Sequence, residues 1–259
     1  MTRRRNSPYH PHHPDLSGAL GDIPNVIYSD KFGHNPSVGT GVEDVWSAGG
    51  TYAGWITTAS TVRVRSGGNA NDTAAGTGAQ KIMVVGLDEN WNAAQEEITL
   101  AGASASAATT TTFIRVNRLY VTDCGTYGGT NTGVIIVEDT GTSAILAEIL
   151  AGLSSTEMFM LSVPADHTAH LHDIHIYVES AKTVELRLWA RINSVDPTQA
   201  PYGAARLIRR FTGIVGDIDL KGDGKPSFDA RTDIWMDART ISGSSSAVSV
   251  IGTGWFVAN

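Results

Sequence analysis

The chain has 259 residues, of which 41% are hydrophobic and 17% are charged. This length and hydrophobic share suffice for one large β-sandwich or two small domains. The net charge of −7 argues against general nucleic-acid binding, which requires lysines and arginines that neutralise phosphates. We therefore expect no specific nucleic-acid partner.

Two further exclusions concern location. No apolar run approaches the roughly 20 residues of a membrane helix. Residues 6–15, after the N-terminal arginines, are polar and proline-rich, unlike the apolar segment of a secretory signal. The single cysteine, Cys124, excludes an intrachain disulfide. We expect synthesis in a host cytoplasm and no membrane partner.

Residues 1–42 are predicted to form an extended N-terminal arm. Five of the nine prolines lie in this segment, and proline at such density disrupts both helices and sheet ladders. The arm would become ordered only against a partner. Its partner-binding candidates are Arg3, Arg4, Arg5 and Tyr9, although the arginines could equally form a solubilising tip. The tract His10–His13 is interpreted as part of a solvated arm rather than a metal site.

From residue 43 onward the pattern changes to short β-rich runs separated by Gly-, Asn- and Asp-rich turns. Period-two alternation of apolar and polar residues indicates half-buried strands. In the first half, strands are predicted at 61–65, 81–87, 97–101, 112–123 and 134–137. The segment 143–153 favours a short helix, with a strand as the alternative.

The second half predicts strands at 158–163, 168–179, 183–193, 207–220, 232–239 and 247–257. In the segment 183–193 the aliphatic residues face one way and Glu185, Arg187 and Arg191 the other. Trp189 lies on the charged side. An exposed tryptophan between arginines is typical of a contact surface. We predict that Arg187, Trp189 and Arg191 bind a partner.

The fold class follows from this spacing. About a dozen strands separated by roughly 10–15 residues, with little helix, predict an all-β protein of β-sandwich or jelly-roll type. No βαβ rhythm is present, which excludes a doubly wound nucleotide-binding fold. Because no linker interrupts the pattern, we expect one sandwich domain over residues 43–259, with a possible sub-division near 155.

Four histidines at positions 167, 170, 172 and 175 suggest a metal site. On a regular strand His170 and His172 share a face and His175 lies on the other. His167, His170 and His172 are thus the candidate metal ligands. The same face continues into Ile174, Ile176 and Val178, so we favour packing or interface histidines and expect no bound metal.

No other motif for metal binding or catalysis is complete in this sequence. The run from Asp217 to Gly224 resembles part of a calcium loop, but positions five and twelve are Lys221 and Phe228 instead of oxygen ligands. No G-x-S-x-G nucleophile elbow or phosphate loop occurs. Nothing marks Cys124 as activated. We expect no catalytic residues and no cofactor.

Residues 155–259 resemble a known class of proteins. The run Val163–Leu171 is similar to the V-P-A-G-x-T-A-x-L step of β-sandwich virion proteins of marine tailed phages, with Asp166 in place of Gly. The runs Phe228–Ile234 and Gly254–Val257 are similar to their penultimate-strand entry and final aromatic strand. The resemblance implies a virion structural protein without catalytic residues.

We therefore expect a non-enzymatic capsid decoration or cement protein in the virion. Its partners would be the major capsid protein or neighbouring virion subunits, and it would form a homotrimer. One alternative is a tail, collar or fibre-base component. Another is a glycan- or receptor-binding module of the virion that uses Trp189 as its platform.

Overall fold

The computed structural model describes residues 23–67, 69–179, 181–193, 197–220 and 226–259. In this part of the chain all regular secondary structure is β. The strands are β1 (Val26–Val38), β2 (Glu43–Asp44), β3 (Ser60–Arg65), β4 (Ala79–Asp88), β5 (Ala93–Thr99), β6 (Thr112–Cys124), β7 (Ile135–Asp139), β8 (Ile145–Ile149), β9 (Met160–Ser162), β10 (His167–Val178), β11 (Thr183–Ile192), β12 (Arg206–Ile214), β13 (Gly216–Leu220), β14 (Ser227–Phe228), β15 (Thr232–Ser242) and β16 (Ser246–Ala258). Across the described residues no helix could span a membrane.

The strands form three sheets. Sheet I has the order β1-β16-β10-β13, with β14 also paired to β10. Sheet II has the order β12-β11-β15-β2, with β9 also paired to β15. Sheet III has the order β5-β4-β6-β3-β7-β8. All pairings between these strands are antiparallel.

Sheets I and II pack face to face as a β-sandwich. Alternate residues of the central strands are fully buried in one cluster, because period-two strands direct every second side chain inward. This cluster includes Ile176, Val178, Val184, Leu186, Leu188, Met236, Val248 and Val250. The predicted all-β sandwich class is confirmed.

Sheet III buries a second apolar cluster of its own. This cluster includes Val62, Val64, Ile82, Val84, Phe113, Leu119, Ile135 and Val137. The chain leaves the sandwich after β2 and re-enters it at β9, so sheet III is formed by the segment in between. Residues 43–259 thus bury two main clusters, where the sequence was interpreted as one sandwich with a possible sub-division near 155.

The predicted boundary of the N-terminal arm at residue 42 needs correction. Residues 26–38 form β1, which pairs with β16 from Val26↔Val257 to Val38↔Ser246. Pro36 is accommodated because the register shifts between Asn35 and Val38, and a bulge needs no ladder hydrogen bond from that residue. Residues 1–22 of the predicted arm lie outside the described residues.

The helix favoured at 143–153 is also wrong. The segment contains β8, which pairs with β7 from Ile135↔Ile149 to Glu138↔Ile145. Ser143 and Gly152 on either side have positive φ. They leave only eight residues between them, too few for a stable helix.

Candidate interaction surfaces

A buried carboxylate joins sheet II to sheet III. Asp233 on β15 is fully buried. Its oxygens accept five hydrogen bonds, from Arg115 Nε at 2.8 Å, Arg115 Nη2 at 2.9 Å, Ser162 Oγ at 2.6 Å, Arg191 Nη2 at 2.7 Å and Asn193 Nδ2 at 2.8 Å. Burial alone would raise the pKa of this carboxyl, but the charges of Arg115 and Arg191 hold it below its ordinary value.

The two arginines lie between tryptophan rings. The guanidinium carbon of Arg115 is 4.9 Å from the ring centroid of Trp91 and 5.4 Å from that of Trp55. That of Arg191 lies 5.3 Å from Trp55 and 5.9 Å from Trp235. Guanidinium groups bind aromatic faces through the ring quadrupole. The stack fixes the planes of both guanidinium groups and of the three neighbouring indoles.

The stack continues outward along sheet II. Trp189 and Trp235 are direct cross-strand partners, and their rings lie 6.3 Å apart with an interplanar angle of 13°. Arg187 lies over Trp189 at 5.3 Å. Arg187 donates to both oxygens of Asp237 at 2.8 and 2.9 Å, and Trp189 Nε1 donates to the same carboxylate at 2.9 Å.

These contacts test the alternation predicted for β11. Arg187, Trp189 and Arg191 do share one face of the sheet, as predicted. Trp189 is half-buried, however, and not exposed, because the Trp235 ring stacks beside it and the Arg187 guanidinium lies over it. The remaining partner-binding candidates, Arg3, Arg4, Arg5 and Tyr9, lie outside the described residues.

Arg115 and Trp55 were not among the residues predicted to form a site. Arg115 is 3% exposed and follows Phe113 and Ile114 in β6. A charged residue inside an apolar strand requires a buried counter-charge. That signal was present in the sequence, but it does not identify Asp233, 118 residues away, as the partner.

A second carboxylate lies beside Asp237. Asp44 on β2 is the register partner of Asp237 and accepts a hydrogen bond from the backbone N–H of Tyr52 at 2.7 Å. Burial raises the pKa of Asp44 to about 6, and the Asp237 carboxylate adds to this rise. A neighbouring negative charge disfavours the ionised form of a carboxyl group.

Two adjoining cavities open beside the arginine–tryptophan stack. The first, of about 250 Å³, is lined by Trp55, Thr57, Arg115, Arg191, Asn193 and Tyr202 among others. The second, of about 240 Å³, is lined by residues including Thr57, Thr58, Glu89, Trp91 and Thr198. Thr57 and Pro197 border both cavities, so the two spaces adjoin, and we call them together the groove.

The histidines on β10 lie differently from the prediction. The pairing of β10 with β16 shifts register between Leu171 and Asp173, so His172 lies in a bulge. A bulge changes which parity of residues faces the core. Ala169 is buried before it, and Ile174 and Ile176 are buried after it. His170 therefore lies on the outer face, and the prediction that it continues the core row is wrong.

The candidate metal ligands each contact a different neighbour. Nδ1 of His167 lies 2.6 Å from Asp166 Oδ1, Nδ1 of His170 lies 2.8 Å from Ser227 Oγ, and Nδ1 of His172 lies 2.8 Å from Asp173 Oδ2. Among the residues described, no three His, Cys, Asp or Glu side chains form a group that could hold a metal ion. Asp217 and Asp219 lie on β13, and residues 221–225 of the calcium-like run are outside the described residues.

The outer face of sheet I presents aromatic and aliphatic side chains to solvent. Tyr28 is 41% exposed, Tyr177 50% and Ile251 41%. Tyr28 contacts Trp255 edge-on, with ring centroids 5.2 Å apart. We call the surface formed by Tyr28, Phe32, Tyr177, Ile251 and Trp255 the aromatic face. Their cross-strand registers place them on the side opposite the buried Val248 and Val250.

A buried lysine lies where β1 approaches sheet III. Lys31 is 6% exposed, and its Nζ donates to the backbone oxygen of Asn117 on β6. The side-chain amide of Asn117 exchanges hydrogen bonds with the backbone of Ser162. Burial, together with the charge of Arg118, lowers the pKa of Lys31 to about 7. Keeping this ammonium charged in the folded protein therefore lowers the free energy of unfolding at neutral pH.

Comparisons with known proteins identify no family. No protein-family model matches the chain, and no curated protein matches it. A mitogen derived from Yersinia pseudotuberculosis is 11% identical over 37% of this chain and 81% of that chain, with a TM-score of 0.20. A structure of infectious bursal disease virus, Gt strain, is 9% identical over 91% of this chain and 79% of that chain, with a TM-score of 0.24. Isomalto-dextranase of Arthrobacter globiformis T6 is 10% identical over 88% of this chain and 35% of that chain, also with a TM-score of 0.24. Similarities this weak, even where they include a virus particle, carry no argument about function.

Proposed function

We propose that this chain is a virion structural protein that binds and stabilises a capsid lattice through subunit contacts. The observation that carries this proposal is the aromatic face of sheet I. Exposed aromatic and aliphatic side chains that share the outer face of a β-sandwich, here on both sides of the polar row of Asp30, Thr253 and Asp173, are typical of an interaction site, and aromatic residues are enriched in the centres of interfaces. The resemblance of residues 155–259 to virion proteins of tailed phages supports the same role.

The dimensions of sheet I suit such a contact. Its four main strands span about 19 Å at roughly 4.8 Å per strand, and about eleven paired residues extend roughly 36 Å along β16. The face therefore offers about 700 Å², close to the roughly 800 Å² that each partner contributes to a standard interface. The partner would be the major capsid protein or a neighbouring virion subunit, and the assembled form a homotrimer.

Binding to particles tests this role directly. Purified chain is added to particles from a deletion strain, and the bound fraction is measured by co-sedimentation. We expect Tyr177→Glu combined with Ile251→Glu to weaken binding at least about tenfold, because two charges would be desolvated in the interface. Tyr127→Glu is the matched control, since Tyr127 is fully exposed on a turn of sheet III. Equal binding of the double variant and the control would contradict the proposal.

The same proposal includes the absence of enzymatic activity. We expect the purified protein to leave polysaccharide and peptidoglycan intact. Release of reducing ends or soluble fragments above the level of a mock preparation would contradict this part of the proposal. The alternative of a tail, collar or fibre-base component predicts binding to tails instead of capsids in the co-sedimentation assay.

A further inference from the structure

We propose that the groove formed by the two adjoining cavities binds an acidic oligosaccharide. The first cavity would take a sugar carboxylate against Arg191, and the second the neighbouring neutral sugar. This inference does not depend on the assembly role, because the groove lies at the junction of sheets II and III and the aromatic face is on sheet I.

The charge of the first cavity favours an anion. Arg115 and Arg191 both pair with the one carboxylate of Asp233, which leaves an excess of one positive charge. The Nη1 of Arg115 donates to the backbone oxygens of Ile56 and Ile114, so Arg115 is fully engaged within the protein. Arg191 uses Nη2 for Asp233, and its Nε is buried and has no hydrogen-bond partner within the described residues. A carboxylate in the cavity would therefore pair with the part of the guanidinium that lines the cavity wall.

The walls of the first cavity favour a ring. Tyr202 is 63% exposed, and the indole of Trp55 is held in place by the two guanidinium groups. Amphipathic aromatic side chains offer rigid apolar faces beside polar edges. The apolar C–H face of a pyranose would pack on the exposed ring of Tyr202 while its carboxylate reaches Arg191. Each cavity is below the roughly 300–1,000 Å³ of a drug-sized site, which fits one sugar ring per cavity.

The second cavity selects a different sugar. Glu89 lines it together with the hydroxyls of Thr57 and Thr58. A carboxylate can accept hydrogen bonds from sugar hydroxyls but would repel a second acidic sugar. The groove therefore fits a polymer in which acidic and neutral sugars alternate.

Calorimetry with defined tetrasaccharides tests the proposal. The probes are hyaluronan, chondroitin, alginate and pectin tetrasaccharides, with chitotetraose as the neutral counterpart of hyaluronan. We expect at least one alternating probe, hyaluronan or chondroitin, to bind at least tenfold more tightly than chitotetraose. We also expect this affinity to fall as salt is raised, because a charge pair is formed.

Variants then locate the site. Tyr202→Ala should weaken binding of the best probe at least tenfold, whereas the matched control Tyr127→Ala, on an exposed turn of sheet III, should stay within twofold. Because Tyr202 is largely exposed, its removal leaves the buried arginine network intact, and the melting temperature verifies this. The proposal would be overturned if no acidic probe bound, if chitotetraose bound as tightly, if Tyr202→Ala had no effect, or if an acidic peptide bound while every saccharide failed.

Discussion

Replacing Asp233 by Asn should be the most destabilising single change at the junction of sheets II and III. The substitution leaves the buried guanidinium of Arg115 without a carboxylate, and it places amide donors beside the donors of Arg115. Loss of one partner from a buried ion pair costs roughly 3–5 kcal/mol. For a chain of this size, that lowers the melting temperature by roughly 10 °C.

Replacing the other partner of the ion pair separates the contribution of the pair from that of the hydrogen bonds around it. In Arg115→Met, Asp233 still accepts from Arg191, Ser162 and Asn193, so we expect a smaller cost of roughly 2–3 kcal/mol. The double variant should be more stable than the sum of the single effects predicts, by roughly 2 kcal/mol, because the residues contact each other directly.

Urea unfolding followed by tryptophan fluorescence measures these values, since Trp55 and Trp91 lie against Arg115. Lys81→Met is the control. Lys81 pairs with Glu97 and Asp123 at the surface, where an ion pair contributes little. Asp233→Asn within about 1 kcal/mol of the natural protein, or strictly additive single effects, would refute the assignment of this pair as the junction between the sheets.

Three further outcomes follow from the buried ionisable groups and the histidines. Because the folded pKa of Asp44 is raised to about 6, the folded protein binds more protons than the unfolded chain between about pH 4 and 6. Asp44→Asn should therefore raise the free energy of unfolding by up to roughly 3 kcal/mol at pH 7 and by little at pH 4. Equal increases at the two pH values would contradict this prediction. The pKa of Lys31 is lowered to about 7, so stability should rise from pH 7 towards 10. Lys31→Met should raise the free energy of unfolding by at most roughly 4 kcal/mol near pH 7 and by less at pH 10. Urea unfolding at the two pH values measures this difference. EDTA or zinc should leave the melting temperature unchanged, and a zinc-dependent rise lost in His170→Ala would contradict the absence of a histidine metal site.

The features that the sequence predicted correctly are local ones. The alternation along residues 183–193 gave the correct faces for β11, because period-two patterning depends only on neighbouring residues. The all-β class followed from the same signal repeated along the chain. Arg187, Trp189 and Arg191 were grouped for the same reason.

The features that the sequence could not predict depend on distant strands. The bulge at His172 is set by pairing with β16, some 80 residues away, and it reversed the predicted face of His170. Pro36 suggested a structureless arm, but the register shift in β1 accommodates it. Arg115 meets Asp233 only because sheet III packs against sheet II, and no local pattern encodes which elements pack together.

The copy number of this chain in purified particles tests the central claim most directly. Quantitative mass spectrometry would give its molar ratio to the major capsid protein. The proposed decoration role predicts a ratio near one or a simple fraction of it. A few to a few dozen copies would contradict decoration and place the chain in a tail or vertex, and complete absence from the particle would contradict a virion structural role altogether.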